Sequence, residues 1–391
     1  PRFRGDFGLS QQHGPPIASD WDAEVPEQMW RIPVGPGWSS FCVAGNMLFT
    51  QEQRGKHEAV VCYAADTGEP IWMQHVESRF DEAMGGPGPR ATPTLAAGAL
   101  YAQGANGIIQ RLDPTSGDVI WTKDLRKLAD RQPPMWGFSS SPLVVGSVVI
   151  VYAGGKDDKG TWALDVETGE TRWSVAAGDH SYCSPQLSVV GNQEVVLMLT
   201  NAGLNILDPR TGKERLNYKW PNRGYRSLQP QVIDGNSILL PTGPDAGTRR
   251  IKITETKNGM TAKAMWTSRH FRPEFSDLVV HEDYAYGFDG AIFTCIDLAN
   301  GKRKWKGGRY GKGQVLLLAD SNLLLVAGEY GDVVLLKAEP SGHRELTKFH
   351  AIDGKTWNHP VVVGDRLYVR NSKEAACYRL PLLADKVADS N

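Results

Sequence analysis

DPTSGDVIW occupies residues 113–121, and close variants return at AADTGEPIW (64–72), DVETGETRW (165–173), DPRTGKERL (208–216) and DLANGKRKW (297–305). Each variant reads as a turn thrown into a large apolar residue. Asp113 or Asp208 can accept hydrogen bonds from the backbone two residues on, the following Pro pre-sets its own φ, and Gly117, Gly169, Gly212 or Gly301 supplies a positive φ. A Trp closes the phrase at Trp72, Trp121, Trp173 and Trp305, and equivalent positions hold Trp30 and Trp266, with Leu216 and Leu346 at the other two. A ring placed once per unit and replaceable by Leu is what packing between sheets needs. The phrase is therefore read as structural and not as a cofactor box.

A second phrase precedes each turn: a polar stretch, often a Pro, then two apolar runs separated by Gly or Asp. It appears as SSFCVAGNMLFT (39–50), ATPTLAAGALYA (91–102), SSPLVVGSVVIV (140–151), CSPQLSVVGNQEVVLM (183–198), LQPQVIDGNSILL (228–240), SDLVVHEDYAYG (276–287), GQVLLLADSNLLLV (313–326) and NHPVVVGDRLYV (358–369). Eight copies at a period of about 46 residues fall in the range of propeller repeats. Short apolar runs rich in Val, Ile, Tyr and Trp give four strands per unit. The expected fold is all-β, an eight-bladed β-propeller of four-stranded antiparallel blades. One short helix fits within residues 124–135.

The ends fit the same plan. The last copy has no Trp strand, while an unpaired QMWRIPVG stands at residues 28–35. Placing that strand outside the last blade closes the ring. Residues 1–25 are then expected as an extension lying on a face, 26–383 as the propeller and 384–391 as a tail.

Bulk composition excludes several function classes. Of 391 residues, 43 are Lys or Arg and 44 Asp or Glu, so no net field favours nucleic acid. No apolar run reaches the roughly 18 residues of a membrane helix. Cys42, Cys62, Cys183, Cys295 and Cys377 show no CxxC or adjacent spacing, which points away from zinc, haem and redox motifs. The sequence starts at Pro1 rather than Met, so a removed signal peptide would leave no trace.

ALDVETGETRW together with SSPLVVG resembles the repeat of the PQQ-binding-like, quinoprotein-type β-propellers. That superfamily includes quinoprotein alcohol dehydrogenases and the BamB-like lipoproteins of outer-membrane β-barrel assembly. FRGDFGL (3–9), GGPGPRATP (85–93), PPMWGFSSSP (133–142) and YGFDGAIFTCIDLANG (286–301) resemble a bacterial exported subgroup. The resemblance implies a periplasmic or cell-envelope location and a link to envelope assembly. For a dehydrogenase it would imply PQQ held over a Trp floor beneath an adjacent-Cys disulfide, with calcium on Glu, Asn and Asp. No adjacent Cys pair and no matching acidic trio is present, so no cofactor, no metal site and no catalytic residue is expected. A divergent quinone-dependent dehydrogenase or a carbohydrate-active enzyme is the alternative.

Propellers concentrate function where loops return to the central channel. Those segments carry Arg90, Trp136, His180 with Tyr182, Arg223 with Tyr225 and Arg226, Phe275, Lys312, and Trp357. A ring of cations and aromatics predicts a funnel binding an anionic or planar ligand, or a partner protein, in a monomeric binding or scaffold module. Of the His residues, His180, His270 and His359 lie in equivalent loops, where they could converge.

Overall fold

The computed structural model describes residues 1–243, 245–257 and 259–383, so the expected tail at 384–391 lies outside the described residues. The strands form eight antiparallel sheets, each with a short innermost strand. Blade 1 comprises Cys42–Ala44, Met47–Arg54, His57–Ala64 and Pro70–Glu77. Blades 2 to 7 begin at the innermost strands Thr94–Ala96, Leu143–Val145, Gln186–Val190, Gln231–Val232, Val279–His281 and Gln314–Leu318. Blade 8 holds Val361–Val363, Arg366–Arg370 and Glu374–Arg379, and its fourth strand is Glu27–Pro33. Arg31 pairs with Ala376 there, so the N-terminal strand closes the ring as expected. The short helix also forms, at Leu125–Ala129, capped by the Asp124 side chain accepting from the Arg126 N–H.

The turn between third and fourth strands shows why its phrase recurs. Asp165 Oδ1 accepts from the N–H groups of Glu167 and Thr168, both at 2.9 Å, and Asp208 repeats this with Arg210 and Thr211 at 3.0 Å. Gly117, Gly169, Gly212 and Gly301 all take φ between 69° and 78°. The Trp of each blade reaches the turn of the next: Trp72 Nε1 donates to the Pro114 carbonyl, Trp121 to Val166 and Trp173 to Pro209. Trp30, Trp266 and Trp305 donate in the same way to Ala65, Leu298 and Glu339. A Cβ on Gly212 would lie 2.7 Å from the Trp173 ring, and one on Gly117 2.6 Å from Trp72. Glycine is thus needed twice, for backbone conformation and for the close approach of the ring.

Leu replaces Trp where there is no such turn to receive it. After Leu216 comes blade 5, whose third and fourth strands, Thr248–Thr256 and Gly259–Ser268, form a long hairpin; Leu216 packs there with Ile253 and Met260. After Leu346 comes blade 8, whose fourth strand is supplied from the N-terminus, and Leu346 packs with Trp21 and Leu380.

Residues 1–12 do not lie across a face. The Pro1 carbonyl accepts from the Leu95 N–H, Phe7 O from Gln186 Nε2, and Gln11–Gln12 pairs in parallel with Leu317 and Leu318. These partners sit on the innermost strands of blades 2, 4 and 7, so the segment runs inside the channel.

Candidate functional site

Each innermost strand starts at one face of the ring, and the connections that lead into it gather there. All eight contribute to one cavity of about 210 Å³ on the axis. Its walls are aromatic and form two groups. Trp136, Tyr182 and Tyr225 come from three consecutive connections; Trp136 lies 5.0 Å from Tyr182 and 4.5 Å from Tyr225, between ring centroids. Trp38, Phe275 and Trp357 form the second group, with Trp357 4.9 Å from Trp38 and 5.2 Å from Phe275. In the eightfold order Tyr182 stands diametrically opposite Trp357, and Tyr225 opposite Trp38. The indoles are fixed by their own donors: Trp38 Nε1 to Gly85 O at 2.7 Å and Trp357 Nε1 to Glu329 Oε1 at 2.9 Å.

Below the rings the lining turns polar. The Ser-Pro phrase serves here: Ser40 N–H donates to Thr92 Oγ1, Thr92 N–H to Ser141 Oγ and Ser141 N–H to Ser184 Oγ, at 2.8–2.9 Å. Ser40 Oγ donates to the His359 carbonyl at 2.6 Å, carrying the belt across the ring closure.

The floor is built by the N-terminal segment. Phe3 lines the cavity beside Asp277 and His359. Arg4 grips Asp277 through Nε at 2.8 Å and a terminal nitrogen at 2.7 Å, and both side chains are at least 98% buried. Ser10 Oγ also donates to Asp277, and His359 Nε2 lies 2.9 Å from the same carboxylate oxygen and 3.0 Å from Ser10 Oγ. Burial alone would raise the Asp277 carboxyl, yet Arg4, then His359 and Ser10, hold it below its ordinary value. Ser, His and Asp meet here without forming a nucleophilic relay. His359 Nδ1 faces the Pro360 carbonyl at 2.7 Å, so serine and carboxylate share Nε2 instead of flanking the ring.

Of the residues expected at the mouth, Arg90, Trp136, Tyr182, Tyr225, Phe275 and Trp357 line the cavity. Arg90 carries no free charge into it: one guanidinium nitrogen donates to Glu82 Oε1 at 2.9 Å and to Gly86 O, another to Gly88 O, and the group lies 4.7 Å over Phe80. His180 is outside the lining, packed edge-on against Tyr182, with its pKa lowered by burial. Lys312 Nζ is paired with Glu274 at 2.7 Å behind Phe275. Arg223 is exposed away from the cavity. Arg226 is fully buried, donating to Thr200 O, Trp220 O and Thr242 Oγ1 and stacked 4.6 Å over Trp220. Of the expected cationic ring, Arg90, Arg226 and Lys312 are thus spent on internal acids and carbonyls, and Arg223 lies in solvent. His180, His270 and His359 do not converge: their ring partners are Tyr182, Arg303 and Asp277 respectively.

Sequence reading missed Trp38, Phe3, Met84 and the serines Ser139, Ser141, Ser184 and Ser227 as cavity residues. Trp38 stands two residues before Ser40 of the first repeat, the same offset Tyr182 keeps from Ser184, so the signal was legible there. Phe3 carried none, since only the fold brings residue 3 to the axis.

The donor set does not fit a metal-held quinone. The five cysteines are free, buried and apart. Among the described residues no three His, Cys, Asp or Glu side chains form a metal-holding group. The one acid at the floor is already neutralised by Arg4.

A family model described as outer membrane protein assembly factor BamB matches residues 18–135 and 127–307. The protein of that name from Yersinia pestis is 24% identical over 300 residues, covering 70% of this chain and 71% of the relative. The crystal structure of BamB from Moraxella catarrhalis superposes with a TM-score of 0.64 at 15% identity, covering 91% of this chain and all of the other. Quinohemoprotein alcohol dehydrogenase from Comamonas testosteroni gives 0.66 at 13% identity over 98% of this chain and 81% of its own. At such identities the two structures share the fold with this chain, and the fold alone transfers no chemistry.

Proposed function

Because the chain belongs to the family described as outer membrane protein assembly factor BamB, we propose that it is a non-catalytic binding module of the bacterial cell envelope whose funnel mouth is the contact site. One observation carries this reading: a blind, aromatic-walled cavity on the axis, built from all eight blades, whose charged side chains are already paired within the protein. A cavity with fixed aromatic walls and few polar groups is suited to recognition. Its one serine–histidine–aspartate cluster lacks the order needed to activate a nucleophile.

Two exposed methionines mark the mouth, Met84 at 64% and Met135 at 72% exposure. Their flexible thioethers suit a contact surface that adapts to what it meets. Benzoyl-phenylalanine placed at Met84 or Met135 should crosslink an envelope component in cells exporting the protein. The same probe at Val189, exposed on the innermost strand of blade 4 toward the far face, should not. Equal capture from Val189 would overturn the assignment of the mouth.

A further inference from the structure

We propose that the funnel cavity recognises a neutral sugar ring, the terminal unit of an uncharged glycan. This rests on the mouth being the contact site and names its ligand class. Three features lead there. The first is the opposition of the two aromatic walls, which leaves a slot between Tyr182 and Tyr225 on one side and Trp357 and Trp38 on the other. A slot between rings selects a ligand with two broad apolar faces, and the C–H faces of a pyranose satisfy that as well as a planar aromatic does.

The second feature separates the two. Beneath the first wall stand Ser141, Ser184 and Ser227, one from each of three consecutive blades. Ser141 and Ser184 each accept a backbone N–H from the neighbouring blade, which leaves each hydroxyl proton to donate. Ser227 lines the cavity half-exposed. Rings above and hydroxyls below make an amphipathic pocket, matched by a ligand with apolar faces and a hydroxylated edge. A flat aromatic would leave those hydroxyls without partners, at the cost of unmet polar groups.

The third feature is charge. Arg90 is held by Glu82, and Asp277 by Arg4, so the lining offers no unpaired ion to a carboxylate or phosphate. About 210 Å³ is also smaller than the roughly 300–1,000 Å³ of drug-sized sites, which limits the occupant to about one ring with the rest of the chain leaving through the mouth.

Indole fluorescence and calorimetry on the full chain test this with cellobiose, maltose and N,N′-diacetylchitobiose, against glucuronic acid and N-acetylphenylalanine amide. At least one neutral disaccharide should saturate with Kd of about 1 mM or tighter. Trp357→Ala and Trp136→Ala should each weaken it about tenfold or more, and Ser227→Ala about threefold, each variant keeping its far-ultraviolet spectrum. Glucuronic acid should bind more weakly than the neutral sugars. No saturation by any neutral sugar at about 10 mM overturns the inference. So does tighter binding of the phenylalanine amide, an outcome that would leave the mouth standing as a contact site for a partner's side chain. Only failure of the sugars together with mouth probes that crosslink no better than Val189 would remove both readings.

Discussion

The two faces of this propeller obey opposite rules. On the face of the Asp-to-Gly turns, six blades repeat one contact, an indole donating to the turn carbonyl of the next blade, and in five of them the ring also rests on a glycine. On the other face, the connections into the innermost strands share only a Ser or Thr hydroxyl belt that runs through blades 1 to 4, and everything above that belt differs. The first face has one geometric problem, joining blade to blade, and one solution serves every copy. The second encloses a single asymmetric space, and eight identical loops would fill it with eight identical side chains.

Cutting the repeated contact should therefore cost the most. Trp173→Ala removes a ring only 9% exposed along with its hydrogen bond to Pro209, and should lower unfolding free energy by about 4 kcal/mol in a denaturant titration. Ligand binding in the folded fraction should be unchanged. A loss confined to binding would break the division of labour between the faces.

The floor joins both rules, since it is structural yet occurs once. Arg4→Ala leaves Asp277 buried without its cation, and should cost about 3 kcal/mol near neutral pH. The pH dependence distinguishes this from simple loss of packing. With Arg4 present, the folded carboxyl lies below its unfolded value of about 3.9, so its contribution is complete above that pH and fades as pH falls toward the folded pKa. Without Arg4, burial dominates and lifts the folded pKa above the unfolded one. The variant should then regain stability on acidification from pH 7 to about 5, where the parent gains nothing from this group. A parallel pair of stability curves would show that Arg4 acts through packing alone.

Gly212→Ala probes the turn from the other side of the same contact. The new methyl would force a residue at φ 70° and press on the Trp173 ring, costing about 2 kcal/mol by thermal or chemical unfolding. Pairing it with Trp173→Ala removes the ring that the methyl meets. The double variant should cost less than the sum of the two, and strict additivity would show that the glycine serves backbone conformation only.

These contacts also show what a single sequence can disclose. The blade count, the closure by Trp30's strand and the packing role of the Trp positions were all written in recurrence, because a repeated contact needs repeated residues. That Leu216 and Leu346 mark places without a receiving turn could be seen only in the fold, since the explanation lies in the next blade. At the mouth, position along the chain correctly gathered Trp136, Tyr182, Tyr225, Phe275 and Trp357. It could not tell a cation facing the cavity from one spent on a carbonyl, because an arginine's partner is set by tertiary packing. The descent of Phe3 and Arg4 into the channel left no local mark at all.

The smallest effect should come from the pair that looked most alike in sequence. Arg223 and Arg226 sit three residues apart in NRGYRS, flanking Tyr225. Arg226 is fully enclosed, its pKa pulled down to about 10 by burial, and three acceptors from three segments depend on it. Arg223 points into solvent. Arg223→Ala should shift unfolding free energy by no more than about 0.5 kcal/mol and leave ligand affinity at the mouth within about twofold. A loss of affinity beyond that would mean that a ligand reaches past the aromatic walls to the outer loop, and the boundary of the site would have to be drawn wider than the cavity.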